Sequence, residues 1–331
     1  MKKIVTAGDR VYLKFFDLDF FYIKAKEAGA TLSPFSSFDE KKFIEEISDT
    51  DALILIDRPL VKAHIDCMDK CRIVLALEVG YDFINVDACT GKRIIVSNVP
   101  AYCTDEVSLH AFTLLLAVHR KLKLLMGETE KGGWDYNFCK PLYYPEGHTV
   151  GIVGFGRIGR RMVLKAKAFG IVPVAYDPYL PDDIFDLYGV QRFYELDELL
   201  MKADYVTLHV PLTEETYHMI GSRELGIMKS NAVLINTCRG KVVDEKSLYN
   251  ALEQDIISGA GLDVLENEPP DGNNPLLTCP RCIVTPHIAW YSEQSMVRLR
   301  EQGMDEVIRV LQGKRPWYVV NPEVLFRENS S

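Results

Sequence analysis

The sequence predicts an α/β protein with two domains, each a parallel sheet covered by helices on both faces. Short apolar runs alternate with more polar, helix-compatible stretches over residues 1–100, and the same alternation resumes at Thr149. A loop containing glycine, proline and tyrosine, GGWDYNFCKPLYYPEGH, precedes the second series. The length agrees, because 331 residues exceed the size at which a single hydrophobic core stops growing.

The first series predicts a doubly wound sheet followed by a long helix. Its apolar runs, each short enough for one strand, are KKIVTA, DALILI, RIVLAL and RIIVSN. The segment TDEVSLHAFTLLLAVHRKLKLL then has an acidic start, a basic end and an apolar middle. Because that charge order suits a helix dipole, we predict one long, mostly buried helix here.

The second series predicts about six strands, enough for a second doubly wound sheet. Its apolar runs are VGIVGF, VPVAYD, YVTLHV, AVLINT, GAGLDV and CIVTPH. The segment EQSMVRLREQGMDEVIRVLQG follows and is typical of a helix, and after it comes the polar tail RENSS.

The composition indicates a soluble intracellular protein. Hydrophobic residues make up 47% of the chain, yet no apolar run approaches the roughly 20 residues of a membrane span. The first residues, MKKIVTAGDR, lack the long apolar region of a signal peptide. The net charge of -9 disfavours attraction to nucleic acid and to anionic membranes. We therefore expect a cytoplasmic protein with a small-molecule partner, and neither nucleic-acid nor membrane binding.

The eight cysteines predict reduced thiols, because they are scattered along the chain and form no disulfide framework. Cys279 and Cys282 form a C-x-x-C pair. A structural zinc needs four ligands, and neither a second such pair nor a closely spaced histidine pair supplies the rest. We expect no metal site.

A glycine-rich stretch predicts a dinucleotide site. Gly154, Gly156 and Gly159 follow the run TVGIV and open RIGRRMVLKAKAF, which gives the order strand, turn, helix. Three glycines at this spacing also occur by chance, so the prediction depends on that context. Gly154 permits the tight turn, Gly156 lets a pyrophosphate approach the backbone, and Gly159 lets the helix pack close to the strand. The helix N-terminus favours a diphosphate, with Arg157 as an added charged donor.

Asp177 favours NAD over NADP. It ends the next run, VPVAYD, eighteen residues after Gly159. A carboxylate there accepts hydrogen bonds from a ribose diol and repels a 2′-phosphate. The alternative is that Asp177 is a turn residue before Pro178.

Polar residues at the ends of three further strands are candidate catalytic groups. Arg239 follows AVLINT, Glu268 follows GAGLDV, and His287 ends CIVTPH. Taken singly, they have ordinary explanations as surface charges or a core histidine. Ligands of such sheets bind beyond the carboxyl ends of the strands. Together, beside a nicotinamide, these residues supply a carboxylate clamp, a proton donor and a group that orients the donor, which are the parts needed for carbonyl reduction.

Four blocks of the chain resemble the D-isomer-specific 2-hydroxyacid dehydrogenase family: VGIVGFGRIGRRM, NTCRGKVVDEKSLYNALE, GAGLDVLENEPP and TPHIAWYSEQS. NVPAYCTDEV and PHIAWYSEQS are also similar to the branch of the C-terminal-binding proteins, corepressors that bind NADH. The resemblance implies a Rossmann NAD-binding domain at residues 102–291. It also implies a discontinuous, flavodoxin-like substrate domain at residues 1–101 and 292–331, a site in the cleft, and a homodimer through the cofactor domains.

The resemblance implies a role for each catalytic candidate. Arg239 orients the carboxylate and carbonyl of the 2-oxoacid that is reduced to a D-2-hydroxyacid. His287 protonates the forming alkoxide, and Glu268 hydrogen-bonds His287. A glutamate partner raises the pKa of an imidazole and keeps it protonated for reduction. In oxidation the neutral imidazole acts as base.

The resemblance also implies the ligand contacts. The backbone amides of Val79 and Gly80 receive the substrate carboxylate. Tyr102 and Trp290, with Tyr291, line the pocket, the alternative being that these aromatic residues pack between domains. The cofactor contacts are Gly154, Gly156, Arg157, Ile158, Gly159, Asp177, Val210, Pro211, Thr237, Cys238 and Asp263, the last of which holds the nicotinamide amide.

Several positions depart from the family pattern. Glu78 stands where a small residue is usual, so either its side chain turns away from an anionic substrate or the substrate carries a donor group. Asn85 replaces a usual aspartate, Leu109 replaces a common acid, and Arg93 and Ile95 replace a frequent glycine and proline.

Two functions from different classes remain open. The first is an NAD-dependent oxidoreductase acting on glyoxylate, hydroxypyruvate, pyruvate or 3-phosphoglycerate, although ALEVGYDF carries no basic residue for a phosphate. The second is an NADH-sensing interaction protein. The chain shows no long disordered tail for such regulation, which favours the enzyme. A formate dehydrogenase of the same superfamily would have a glutamine where Glu268 stands.

Overall fold

A computed structural model describes residues 1–8, 17–37 and 39–326 and divides the chain into two compact units. The first unit comprises residues 1–103 and 292–331, and the second comprises residues 104–291. The polar tail of the sequence, residues 327–331, lies outside the described residues.

The first unit has, in its described part, a five-stranded parallel sheet in the order β2-β1-β3-β4-β5. This is a doubly wound order of the flavodoxin type, and the fold-class prediction is confirmed. The apolar runs of the sequence did not predict β2, which carries Pro34 and lies at the sheet edge, where proline is tolerated. The elements are β1 (Lys2–Gly8), α1 (Leu18–Glu27), β2 (Ala30–Phe35), α2 (Glu40–Ile47), β3 (Ala52–Ile56), α3 (Lys62–Asp66), β4 (Ile73–Ala76), α4 (Val86–Gly91) and β5 (Ile95–Ser97).

Two departures from the family pattern have local explanations in this unit. The side chain of Asn85 accepts a hydrogen bond from the N–H of Ala88 at 3.0 Å and so caps α4, as an aspartate would. Arg93 has a φ of 59°, in the left-handed region that favours glycine. The backbone at Arg93 therefore has a conformation typical of glycine, the residue that is frequent at this position of the family.

The second unit has a seven-stranded parallel sheet in its described residues, in the order β12-β11-β10-β9-β6-β7-β8. The strand order reverses between β6 and β9, which is the point where such sheets bind ligands. The apolar runs of the sequence did not predict the three-residue edge strand β8. The strands are β6 (Thr149–Val153), β7 (Val172–Tyr176), β8 (Gln191–Phe193), β9 (Tyr205–Leu208), β10 (Val233–Asn236), β11 (Gly259–Leu262) and β12 (Cys282–Val284).

The helices of this unit cover both faces of its sheet. Val233 and Ile235 of β10 pack into one core, and Leu234 between them packs into another. The alternation of side chains along a strand places these cores on opposite faces. The helices are α5 (Thr104–His119), α6 (Leu122–Glu130), α7 (Arg157–Ala168), α8 (Asp182–Tyr188), α9 (Leu196–Lys202), α10 (Ser222–Ile227), α11 (Glu245–Glu253) and α12 (Pro275–Thr278).

The prediction of one long helix from Thr104 onward is wrong, because α5 ends at His119 and α6 begins at Leu122. Lys121, between them, has a φ of 53°, which interrupts the helix. Two contacts to the following loop fix the break. His119 Nε2 donates to the carbonyl of Tyr143 at 2.9 Å, and Lys121 Nζ donates to that of Cys139 at 3.0 Å.

The chain returns to the first unit with α13 (Glu293–Leu311) and α14 (Glu323–Phe326). A Cβ added at Gly303 would lie 2.3 Å from Leu77 Cδ1, so glycine lets α13 lie close to the end of β4. Asn321 Oδ1 accepts from the N–H of Val96 at 2.7 Å and ties the last segment to β5. Within the ranges described above, none of the helices has the length and hydropathy of a membrane span.

Candidate active site

The loop after β6 has its shape because two glycines, one in the loop and one in α7, leave no room for a side chain. Gly154 has a φ of 88°, and a Cβ there would lie 2.5 Å from the carbonyl oxygen of His209. A Cβ at Gly159 would lie 2.3 Å from the carbonyl oxygen of Gly154. Gly154 therefore makes the turn beside the residue after β9, and Gly159 brings α7 onto the loop.

Gly156 differs from both, since an added Cβ there meets no described atom within 4 Å. It is the N-cap of α7, and Arg157 and Ile158 form the first turn. The first N–H groups of a helix have no partner inside the helix. The open space at Gly156 and these donors fit a diphosphate, so the residues present suit the cofactor that the sequence predicts.

Asp177 ties the end of β7 to the glycine loop. Its Oδ2 accepts from the N–H of Phe155 at 2.9 Å, and its Oδ1 accepts from that of Tyr179 at 3.0 Å. The contact with Tyr179 is the kind that a turn residue before Pro178 makes, which was the alternative role for Asp177 in the sequence. An ionised carboxylate has about four lone-pair sites, so it retains capacity for a ribose diol.

The turn after β10 places Cys238 and Arg239. Asn236 Oδ1 accepts from the N–H of Cys238 at 3.0 Å, and Asn236 Nδ2 donates to the carbonyl of Arg239 at 2.8 Å. The Oγ1 of Thr237 is buried and has no hydrogen-bond partner among the described residues. Burial raises the pKa of the Cys238 thiol, which keeps it protonated and unreactive.

The structure brings His287 and Glu268 into a direct pair. His287 Nδ1 donates to Glu268 Oε2 at 2.6 Å, while Glu268 Oε1 accepts from the N–H of Leu265 at 2.8 Å. Both carboxylate oxygens are thus held, and the Nε2 of His287 is the ring nitrogen opposite the pair. A proton on Nε2 is the one that this arrangement can deliver to a ligand.

The electrostatics favour the charged form of both partners. Burial lowers the pKa of His287, but the hydrogen bond and the negative charge of Glu268 outweigh it, so the pKa lies above its ordinary value of 6.5. Burial raises the pKa of Glu268, but the bond to His287 and the charges of His287 and Arg239 bring it below 4.5. The charge of Arg239 also acts on His287, in the lowering direction, so the three predicted catalytic residues interact electrostatically.

His287 sits in a turn with an unusual backbone. Its φ is 50°, and its N–H donates to the carbonyls of Asp263 at 2.8 Å and Thr285 at 3.0 Å. The carboxylate of Asp263, which is 1% exposed, accepts from the N–H groups of Ile288 at 3.0 Å and Ala289 at 2.8 Å. Asp263 thus holds the turn that bears His287. Its contact with the nicotinamide amide stays a prediction.

Trp290 contributes to the same turn. Its Nε1 donates to the carbonyl of His287 at 2.8 Å, and its ring packs edge-on against Tyr291 with centroids 5.6 Å apart. The indole thereby fixes the backbone of His287. Contact of either ring with a substrate stays a prediction.

Gly240 shapes the turn that carries Arg239, and the sequence alone did not predict this. A Cβ there would lie 1.9 Å from the backbone carbon of Leu265, so the turn that carries Arg239 approaches the segment that leads to Glu268 at backbone distance. The signal was present in the run Cys238-Arg239-Gly240, but a glycine alone does not tell which segment lies against it.

Val79, Gly80 and Tyr102 belong to the first unit. Val79 follows β4, and its carbonyl accepts from Asn98 Nδ2 at 2.6 Å. Glu78 Oε1 accepts from the N–H of Asp57 at 3.2 Å, so the side chain is directed to the loop after β3. Tyr102 is 4% exposed. The contacts of these residues with a substrate stay predictions.

Comparison with known proteins identifies the family. The family described as D-isomer specific 2-hydroxyacid dehydrogenase, NAD binding domain, matches residues 112–289. The chain belongs to this family. It is therefore an NAD-dependent dehydrogenase that interconverts a D-2-hydroxyacid and its 2-oxoacid, as the sequence predicts.

Individual members of the 2-hydroxyacid dehydrogenase family match most of the chain. A glyoxylate reductase of Korarchaeum cryptofilum is 40% identical over 290 residues, which cover 86% of this chain and 87% of that protein. A D-3-phosphoglycerate dehydrogenase of Methanocaldococcus jannaschii is 36% identical over 302 residues, covering 90% of this chain and 57% of that protein. The crystal structure of D-lactate dehydrogenase from Aquifex aeolicus with NAD and lactic acid is similar, with a TM-score of 0.84, 29% identity, and coverage of 96% and 99%.

Proposed function

We propose that this dehydrogenase reduces a small, non-phosphorylated 2-oxoacid, with glyoxylate first among the candidates, and that His287 is its general acid. The observation that carries the proposal is the 2.6 Å hydrogen bond between His287 Nδ1 and Glu268 Oε2, with the charge of Arg239 acting on both groups. The similarity to a glyoxylate reductase supports the substrate class.

The proposed mechanism assigns one task to each residue. Bound NADH supplies the hydride, which the carbonyl carbon receives. Arg239 pairs with the substrate carboxylate and orients the carbonyl. His287 donates its Nε2 proton to the carbonyl oxygen, and Glu268 stabilises the charged imidazole before that transfer. In the reverse direction the neutral imidazole takes the hydroxyl proton.

The proposed cofactor contacts lie at the carboxyl ends of the strands in the second unit, beginning with the loop after β6 and the end of β7. We propose that the diphosphate lies at Gly156 on the first turn of α7, beside Arg157 and Ile158, and that Asp177 accepts from the ribose hydroxyls. The remaining proposed contacts come from the ends of later strands and are Val210, Pro211, Thr237, Cys238 and Asp263. The carboxylate of Asp177 supports selectivity for NAD over NADP.

The first unit supports a substrate without a phosphate. We propose that the amides of Val79 and Gly80 receive the substrate carboxylate; Glu78 does not oppose this, because its carboxylate is directed to the N–H of Asp57. Arg58 is the basic residue that follows Asp57 in the chain, and its side chain does not point to a phosphate site either. Its guanidinium donates to the carbonyl of Ser37 at 2.8 Å and lies 3.9 Å from the ring centroid of Phe43.

The test is a panel assay with the purified protein. NADH oxidation is followed with glyoxylate, hydroxypyruvate, pyruvate and 3-phosphohydroxypyruvate, in parallel with NADPH. We expect rapid, NADH-selective turnover of a small acid. A preference for the phosphorylated acid would overturn the substrate class. Tight NADH binding without reduction of any acid would favour the NADH-sensing function.

We further propose a homodimer through the second unit. Leu109 and Leu164, which are 58% and 55% exposed, line an apolar groove between α5 and α7 together with Phe112 and Phe169. Contiguous apolar surface of this kind marks association sites. Leu164→Glu should convert a dimer to a monomer in sedimentation velocity, whereas Leu187→Glu on α8 should not. A monomeric parent chain would contradict the proposal.

For location we propose the cytoplasm. All eight cysteines are free thiols in the structure, which suits a reducing compartment. Cell fractionation followed by detection of the protein tests this, and recovery from an oxidising compartment would contradict it.

A further inference from the structure

A second histidine of the same unit is connected to the turn that bears His287. His110, on α5, has its Nε2 2.9 Å from the Oγ1 of Thr285 and 3.4 Å from the Oδ1 of Asp263. Thr285 Oγ1 in turn lies 2.5 Å from Asp263 Oδ1. None of these contacts belongs to the glycine loop or to the pair of His287 and Glu268.

The acceptors fix the direction of the hydrogen bonds. The carboxylate of Asp263 accepts from two backbone N–H groups, at Ile288 and Ala289, and acts as acceptor toward Thr285 as well. The single hydroxyl proton of Thr285 is therefore given to Asp263. Nε2 of His110 must then carry the proton of its own bond to Thr285. The chain runs His110 to Thr285 to Asp263.

The end of this chain of hydrogen bonds contributes to the position of His287. Asp263 holds the turn through its carbonyl, which accepts from the N–H of His287, and through its carboxylate. A residue other than glycine keeps a positive φ only where the surrounding structure holds it there. Since His287 has a φ of 50°, the contacts of Asp263 are among those that keep its backbone, and with it the imidazole, in place.

We propose that His110 is a positioning residue for His287. Its Nε2 proton orients the hydroxyl of Thr285 toward Asp263, and this fixes the carboxylate in the direction of the amides of residues 288 and 289. This inference rests on the proposed role of His287 as general acid. It adds that the accuracy of proton delivery by His287 depends on a donor, His110, that lies two hydrogen bonds from Asp263.

Two substitutions separate the donor from the shape of the side chain. His110→Phe keeps a ring and removes the donor, whereas His110→Gln places an amide nitrogen near the position of Nε2. We expect His110→Phe to lower kcat for 2-oxoacid reduction about tenfold, the order of one lost buried hydrogen bond. His110→Gln should restore most of that loss.

The readouts distinguish positioning from a purely structural role. NADH titration should give one site per chain in both variants, and kcat is compared at saturating NADH, so that the fall is measured per cofactor-loaded site. His119→Phe is the matched control, because His119 lies on the same helix but has other hydrogen-bond partners, Tyr143 and Tyr205. That variant should lose thermal stability and keep kcat.

Three results would overturn the inference. They are full kcat in His110→Phe, equal impairment in His110→Gln, or a loss of NADH sites that matches the loss of rate. The parent chain is measured in parallel. If it reduced no 2-oxoacid although it bound NADH, the proposed function would fail, whereas an active parent with an equally active His110→Phe variant would refute the positioning role alone.

Discussion

The loop after β6 and the turn after β12 leave the same edge of the second unit's sheet, but they are held in different ways. The loop depends on Gly154 and Gly159, which lie within six residues and leave no room for side chains. The turn that bears His287 depends on Asp263 and Glu268, which lie well before it in the chain. The two glycines of the first region are close together in the sequence, whereas the hydrogen bonds that hold the turn come from residues after β11.

This difference gives the two regions separable functions. Changes in the loop should affect cofactor binding or folding and leave proton transfer unaltered once cofactor is bound. Changes at His287 and Glu268 should affect turnover and leave cofactor binding intact. Each of the following variants can break that separation.

The largest effect is expected at the turn. His287→Ala removes the general acid, and we expect kcat to fall by about 10²- to 10⁴-fold, the usual contribution of such a group. The Kd for NADH should stay unchanged in a fluorescence titration. His64→Ala is the control, because His64 forms a pair with Glu40 of similar length, 2.7 Å, in the first unit. Loss of NADH affinity with normal turnover per bound cofactor would show that the role is wrongly assigned.

Two loop variants distinguish folding from binding. Gly154→Ala forces a Cβ against His209 and should lower the free energy of unfolding by about 1–3 kcal/mol. Gly156→Ala enters open space and should lower it by less than about 1 kcal/mol, yet weaken NADH binding more than tenfold. Thermal unfolding with and without NADH measures both. Equal stability losses in the two variants would break the distinction between the glycines.

A smaller change is expected at the end of β7. Asp177→Ala removes a carboxylate that repels a 2′-phosphate, so the preference for NADH over NADPH should fall about tenfold in kcat/KM. Turnover at saturating NADH should persist. Asp182→Ala, which removes a carboxylate paired with Arg192, serves as the control. An unchanged preference would leave Asp177 as a turn residue only.

The sequence predicted the parts of the molecule that depend on local pattern. Alternating apolar runs predicted the parallel sheets, and the spacing of Gly154, Gly156 and Gly159 predicted the order strand, loop, helix. The trio of Arg239, Glu268 and His287 came from strand ends and from resemblance, and the structure brings its members into electrostatic contact.

The sequence did not predict features that depend on distant contacts. The break between α5 and α6 is fixed by carbonyls of a later loop, and the need for glycine at Gly240 arises from the backbone of Leu265. The edge strand β8 is too short for a periodic signal. His110 looked like part of a buried apolar helix until the structure placed it beside Thr285.

The most direct test is the pH dependence of 2-oxoacid reduction in the parent chain and in Glu268→Gln. Reduction needs the protonated imidazole, so its rate should be full at low pH and fall as the pH rises through a pKa above 6.5. Without Glu268, burial and the charge of Arg239 still lower the pKa of His287, so the fall should move to lower pH. Glu40→Gln should leave the profile unchanged. An apparent pKa that is the same in Glu268→Gln and the parent would contradict the assignment of this pair as the acid and its partner.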